Sequence, residues 1–179
     1  MELIDNIVAT LLENKDYLPH VSCAVTAAHE KSIPVIHITI DFRRNYPEVP
    51  RMNPFWAHFV DRRLRPRQGP AKPRPQFVPE ATPLPRRDRC LKETHLGIWQ
   101  QRSGGPSGID GVRNLVMAGV TTNGVVLSTV RETMDKYYGI TVLEDLCVDS
   151  DEEVRRALNT KGFPVSGAVM KWEDWVANL

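Results

Sequence analysis

The residues best placed to do chemistry in this chain of 179 residues lie where a buried strand turns into a helix. The predicted strand Leu115–Val120 is followed by Thr121 and Thr122, whose hydroxyls become nucleophiles when a neighbouring base activates them. No such base is adjacent in the sequence, so we interpret both hydroxyls as partners in capping and turn hydrogen bonds. Val125 follows, and its side chain has no heteroatom that could attack a substrate or exchange a proton.

The cysteines and histidines of the chain provide no further candidate for catalysis or metal binding. The cysteines Cys23, Cys90 and Cys147 are too few and too scattered for a disulfide framework or a zinc site, which favours a reducing compartment such as the cytoplasm. Cys147 has acids on either side and no histidine close in sequence, so we interpret it as a buried structural residue. The five histidines show no pair at metal-ligand spacing. We predict no metal and no cofactor.

The elements that must position these residues alternate between helix and strand. Apolar residues at three-to-four spacing predict a helix from Asp5 to Glu30, broken near Pro19. A second helix is predicted from Asn123 through Lys136, and a third starts at Ser150, with Glu153 completing a capping box. Branched residues predict strands at 34–42, 115–120, 140–146 and 168–172. This order is typical of a doubly wound, mostly parallel sheet with helices on both faces, an α/β fold of the Rossmann-like, three-layer kind.

One segment departs from this pattern. Residues 61–108 carry eleven basic residues against four acids, a net charge of +7, whereas the remainder of the chain carries −6. Eight of the 14 prolines also lie there, so we predict a disordered or loosely packed segment within a single domain, residues 1–179. Its aromatic residues Phe77 and Trp99 form no stacking array, which indicates a solvated charge run rather than a nucleic-acid arm. No apolar run is long enough to span a membrane.

The strand-to-helix turn resembles the isochorismatase-like, or cysteine hydrolase, superfamily. The family pattern is an apolar strand, Gly-Val, a small residue, Thr, two variable residues, Cys-Val, and a Thr four residues after the Cys. Gly119–Thr122, Val126 and Thr129 match it. Two further stretches agree with the family, namely Ile33–Ile38 with Phe42, Arg43 and Tyr46–Glu48, and Val142–Val154. The resemblance covers roughly residues 5–60 and 111–179.

The resemblance implies a mechanism in which a Cys at the helix start attacks an amide, an Asp after the first strand acts as base, and a Lys after the third strand supports the site. The helix N-terminus lowers the pKa of the thiol, and backbone N–H groups around a cis peptide form the oxyanion hole. Carried over to this chain, the nucleophile position falls on Val125, the base on Asp5 and the lysine on Lys92. Val120, Thr121 and Val125 are the implied substrate-binding residues.

Two of these carried-over positions have simpler interpretations. Asp5 is either a remnant of the base or the cap of the first helix, and we favour the cap because only Leu3 and Ile4 precede it as strand material. The first strand of the sheet is therefore expected to be missing. Lys92 is expected to lie near the family lysine by coincidence.

The sequence of the segment 61–108 also suggests how this segment arose. Read one nucleotide later, the codons for Lys92–Asp110 permit a string with the family's lysine, phenylalanine and amphipathic helix, which runs directly into Gly111–Val116. We hypothesise that about residues 61–110 are translated out of frame relative to the ancestral gene, by mutation or through a wrong gene model. The coding DNA tests this hypothesis, because codons incompatible with that string would refute it. The bases upstream of Met1 bear on the separate question of the missing first strand.

The resulting prediction is a family member of hydrolase descent that lacks cysteine-hydrolase activity, a pseudoenzyme. One alternative is an active hydrolase of a small amide or enol ether that uses Asp5 and Lys92 without a thiol. The other is a non-enzymatic binding or interaction protein that keeps the old cleft. A small-molecule ligand and assembly of identical chains are the partners that the resemblance implies.

Overall fold

The computed structural model describes residues 14–40, 52–54, 57, 89–93 and 111–179. The helices in these residues are α1 (Tyr17–Glu30), α2 (Leu127–Asp135), α3 (Glu152–Ala157) and α4 (Trp172–Ala177). The strands are β1 (Ile36–Ile40), β2 (Arg89–Glu93), β3 (Asn114–Val120), β4 (Gly139–Val148) and β5 (Ala168–Met170). Asp5, the expected loss of a first strand and most of the segment 61–108 lie outside the described residues. None of the helices described is long and apolar enough to cross a membrane.

Strand β4 is the centre of a parallel three-stranded sheet in the order β3-β4-β5. Its residues Ile140–Leu143 are almost all apolar and mostly buried, as expected of a strand that is covered on both faces. Helix α2 packs over one face, where Val130 contacts a cluster that includes Val142 and Cys147. Helices α1 and α4 cover the other face. The predicted α/β fold with helices on both faces of a parallel sheet is confirmed.

A bulge interrupts β4 halfway along. Met117 of β3 pairs with Val142, but Gly119 pairs with Cys147, so Ala118 alone lies opposite four residues of β4, 143–146. The bulge changes the alternation of faces. Val142 and Cys147 both belong to the core cluster under α2, although residues five positions apart point to opposite faces of a regular strand. Leu146 and Val148 consequently face α1.

Helix α1 contains the proline near which we predicted a break. The helix starts at Tyr17, after the non-helical residues 14–16, and continues through Pro19 to Glu30. The part of the predicted helix before residue 14 lies outside the described residues. Proline is tolerated here because it lies in the first turn, where its missing N–H would have no partner within the helix. Tyr17, Ala24 and Ala28 are its buried residues.

Strand β2 lies inside the segment 61–108, which we predicted to be disordered or loosely packed. Arg89–Glu93 pairs in parallel with β1, and Lys92 lies opposite Thr39. These five residues therefore form a strand within the segment. The physical reason is local: the stretch 89–93 has no proline, and seven of the eight prolines of the segment precede it, so its backbone donors are intact.

The cap of α3 is one residue later than predicted. Asp151, not Ser150, is the N-cap, and its carboxylate accepts a hydrogen bond of 3.1 Å from the Val154 N–H. Both residue types are good caps, so the choice depends on which side chain reaches the N–H three residues on.

Candidate active site

The loop that leaves β3 forms a single π-helical turn, Thr122–Val126, before α2 begins. The peptide bond between Val120 and Thr121 is cis. The carbonyl of Thr121 accepts hydrogen bonds from the N–H groups of Gly124 and Val126, both at 3.2 Å. Together these features set the backbone that we call the site turn, residues 119–126, at the carboxyl end of β3.

The threonine hydroxyls do not cap this turn, contrary to our interpretation. Thr121 occupies the position before the turn, but its side chain makes no capping hydrogen bond. The two N–H groups that such a cap would bind are used elsewhere: Gly124 donates to the Thr121 carbonyl and Asn123 donates to Asp149. Thr122 is completely buried, and its Oγ1 has no hydrogen-bond partner within the described part of the chain. Asn123, predicted as the helix cap, lies inside the turn and is exposed.

Val125 is half-buried and lies in this turn, two residues before α2 begins. Its carbonyl accepts a hydrogen bond of 2.8 Å from Oγ1 of Thr129, which is itself buried. Thr129 is the threonine of the sequence pattern, four residues beyond the nucleophile position. Its structural role here is to hold the backbone of residue 125 from the first turn of α2.

Asp149 is a site residue that our sequence reasoning missed. Its Oδ2 accepts a hydrogen bond of 2.7 Å from the Asn123 N–H, and its Oδ1 accepts one of 3.3 Å from the Asp151 N–H. The pairing of Val120 with Val148 explains this contact, because the residues that follow leave the sheet side by side. The available signal was the position of Asp149 directly after a strand, at the edge where α/β sheets bind ligands.

A cavity of about 260 Å³ lies at the same edge, beside the end of β4. It is lined by Asn14, Asp145, Cys147, Val148, Asp149, Glu152 and Arg155. The Arg155 guanidinium is bound by both carboxylate oxygens of Glu152, at 2.7 and 2.6 Å. These hydrogen bonds hold the pKa of Glu152 below its usual range. The described part of the wall therefore carries three carboxylates and one cation that is already paired.

Cys147 lines this cavity, yet only 1% of its surface is exposed. Burial raises the pKa of its thiol from an ordinary value of 9.0 to about 12, while the Gly119 backbone N–H and the Arg155 charge act in the opposite direction. The thiol is protonated at neutral pH and is a poor nucleophile. Cys23 is exposed on α1.

The residues predicted for the site divide into three groups. Val120, Thr121 and Val125 come together in the site turn. Lys92 lies in β2, where its backbone pairs with Thr39, and Asp5 lies outside the described residues. Among the side chains that the structure describes, no three of the types that bind metals are grouped to hold an ion.

A parallel sheet with a crevice and a strand-to-helix turn at its carboxyl edge is typical of doubly wound α/β proteins. The chain matches the family model described as the isochorismatase domain over residues 3–174, and it belongs to that family. The resemblance found in the sequence is confirmed. A search of curated protein sequences gives no match.

Solved structures show the same fold at low sequence identity. An isochorismatase family protein from Burkholderia thailandensis is 20% identical, with a TM-score of 0.67, and the match covers 90% of this chain and 82% of that one. A cysteine hydrolase from Pseudomonas syringae pv. phaseolicola is 16% identical, with a TM-score of 0.69 and coverage of 90% and 79%. N-carbamoylsarcosine amidase from Thermoplasma acidophilum is 14% identical, with a TM-score of 0.60 and coverage of 88% and 83%.

Proposed function

We propose that this isochorismatase family member lacks cysteine-hydrolase activity and retains the crevice at the carboxyl edge of its sheet as a binding site for a small molecule. The observation that carries the proposal is Val125, a half-buried valine at the position where the family pattern has its cysteine. A hydrocarbon side chain forms no covalent intermediate and transfers no proton.

The thiols whose side chains are described do not replace it. Cys147 reaches the cavity wall, but burial keeps its thiol protonated, as the raised pKa indicates. Cys23 is exposed on α1, an element that contributes no residue to the site turn. The threonine hydroxyls of the turn are equally unsupported: Thr122 is fully buried with no partner in the described residues, and so has no base to activate it.

The binding part of the proposal is supported by the cavity of about 260 Å³ next to the turn. Its wall combines carboxylates, an amide and a paired guanidinium, groups that orient a small polar ligand through hydrogen bonds. The hydrogen bond between Asp149 and the Asn123 N–H links this wall to the site turn.

The decisive experiment is an activity panel on the unmodified chain. Small amides, N-carbamoylsarcosine and isochorismate are incubated with the protein, and the N-carbamoylsarcosine amidase from Thermoplasma acidophilum is the positive control for detection with N-carbamoylsarcosine. We expect no turnover above the rate in buffer and no covalent adduct on any cysteine peptide by mass spectrometry. Turnover by this chain would refute the proposed loss of activity.

The alternative of a thiol-free hydrolase has its own signature in the same panel. Turnover that disappears in Asp5→Asn and Lys92→Met, yet persists in Cys23→Ala and Cys147→Ala, would identify an enzyme that uses the carboxylate and the amine. If no substrate is turned over, equilibrium dialysis against a library of small molecules tests binding directly. Saturable binding at one site per chain is the expected result.

A further inference from the structure

A carboxylate accepts a hydrogen bond from a backbone N–H near the start of the site turn. The Asn123 N–H, in the first turn of the path into α2, donates to the Asp149 carboxylate at 2.7 Å. Unpaired N–H groups at such a position normally attract anions. Here this donor is already used, and an approaching anion meets a carboxylate instead.

The described residues that line the neighbouring cavity also carry a net negative charge. Asp145, Asp149 and Glu152 line it, and Arg155 is the one cation among the lining residues that the structure describes. Both oxygens of Glu152 bind the Arg155 guanidinium, which also donates to the Glu144 carbonyl at 3.3 Å. Arg155 therefore has few donors left for an anionic ligand, and the described residues of the lining have a net charge of −2 by residue type.

We propose that Asp149 determines the charge specificity of this crevice: by occupying the Asn123 N–H and adding a negative charge, it selects small cationic or neutral molecules and excludes anions. The inference rests on the proposed function, because it concerns the ligand of the same crevice. Small amines fit the chemistry of the wall, since its carboxylates accept hydrogen bonds from an ammonium group. Dianionic carboxylates do not fit it.

A reporter thiol at the turn tests the local potential. In a Val125→Cys variant, the new thiol is treated with a cationic and an anionic methanethiosulfonate reagent of matched size. The thiolate attacks the reagent sulfur, a disulfide forms and methanesulfinate leaves. Labelling is followed by mass spectrometry on the tryptic peptide 114–131, which has no other cysteine. We expect the cationic reagent to react faster than the anionic one by roughly tenfold.

Two further variants distinguish the effect of the Asp149 charge on the labelling rates from the effect of other carboxylates nearby. Asp149→Asn keeps an oxygen that accepts the Asn123 N–H but removes the charge, and the ratio of the two rates is expected to fall by about fivefold or more. Glu153→Gln, an exposed site on α3, removes one charge from the same region and is expected to change the ratio by less than about twofold.

Added salt provides a test that needs no substitution at Asp149. In the Val125→Cys chain, the ratio is expected to approach unity as the salt concentration rises, because counterions screen the carboxylates. Equal labelling by both reagents at low salt, no labelling at residue 125, or an equal fall of the ratio in Asp149→Asn and Glu153→Gln would each overturn the proposal. None of these readouts depends on hydrolysis, so they are independent of the activity panel.

Direct binding completes the test on the chain with its native valine. Benzylamine and benzoate share one ring and carry opposite charges, and each is measured by equilibrium dialysis. We expect benzylamine to bind more tightly than benzoate, with a difference that narrows by about fivefold in Asp149→Asn. Tighter binding of benzoate by the unmodified chain would contradict the proposal.

Discussion

The hydroxyl of Tyr17 donates a hydrogen bond of 3.3 Å to the carbonyl of Leu146, across 129 positions of the chain. Tyr17 is the first residue of α1, and Leu146 is the last residue of the bulge in β4. A bulge leaves backbone groups without ladder partners. The Tyr17 hydroxyl is the hydrogen-bond partner of one such group, the Leu146 carbonyl. The bond connects the helix that covers the sheet to the strand that carries the cavity wall.

Tyr17→Phe is expected to destabilise the protein by about 1 kcal/mol, because it leaves a buried carbonyl without its partner while conserving the ring. The measurement is the free energy of unfolding in urea. Tyr137→Phe is the matched control, since Tyr137 is 97% exposed and its hydroxyl is in water. Equal stabilities of the two variants would contradict the role given to the hydrogen bond.

Gly167, just before β5, lies so close to Ile140 that a larger residue does not fit. A Cβ at this position would lie 2.8 Å from the Cβ of Ile140 and 2.9 Å from its carbonyl carbon, atoms that move only with the backbone of β4. Gly167→Ala is therefore expected to cost about 2 kcal/mol in the free energy of unfolding.

Gly162→Ala is the control for this substitution. The Cβ there would meet the Cδ2 of Leu158 at 3.0 Å, the end of a flexible side chain. The backbone of Gly162 is in the right-handed helical region, so alanine adopts it without strain. We expect a change below about 0.5 kcal/mol in urea unfolding. If both variants lose the same stability, the close contact with Ile140 is not the cause.

Much of the fold was predictable from the sequence because it depends on local patterns. Branched residues located β4 and β5, and apolar spacing located α2, to within a few residues. The bulge in β4 was not predictable, since its carbonyls are satisfied by side chains of other elements. Arg155 and Asn159 both donate to the Glu144 carbonyl, and these bonds exist only after α3 and the turn that follows it, Leu158–Gly162, have packed on the sheet.

The candidate site was predictable only in part, for a similar reason. The Gly-Val-Thr pattern placed Val120, Thr121 and Val125 in one turn without any structural information. Asp149 had no comparable signal, because its contact with Asn123 depends on the register of two neighbouring strands. The strand β2 was missed because composition averaged over a proline-rich window hides five residues without proline.

Thr122→Val is expected to stabilise the protein by about 1 kcal/mol. The hydroxyl is completely buried with no partner among the described residues, and valine has the same shape without the polar atom. Thr133→Val is the control, because its equally buried hydroxyl donates to the carbonyl of Thr129 at 2.7 Å. That variant is expected to be neutral or mildly destabilising. A loss of stability in Thr122→Val would indicate that its hydroxyl has a partner.

The stability of the fold is expected to fall at alkaline pH because of two buried acids. Burial raises the pKa of the Cys147 thiol to about 12, and burial together with the Cys147 charge raises the pKa of Tyr17. Above the ordinary thiol value of 9.0 the unfolded chain loses a proton that the folded chain keeps. The stabilisation is therefore fully present below pH 9.0 and declines as the pH rises toward about 12.

The contribution of Cys147 is isolated by comparing slopes, since its removal also changes packing. Each group that titrates only on unfolding gives a slope of about −1.4 kcal/mol per pH unit, so Cys147→Ala is expected to flatten the stability profile above pH 9.0 by about that amount. Cys23→Ala, at an exposed thiol, is expected to leave the slope unchanged. Urea unfolding at several alkaline pH values measures both. Parallel profiles for the native chain and Cys147→Ala would mean that water reaches this thiol in the folded state.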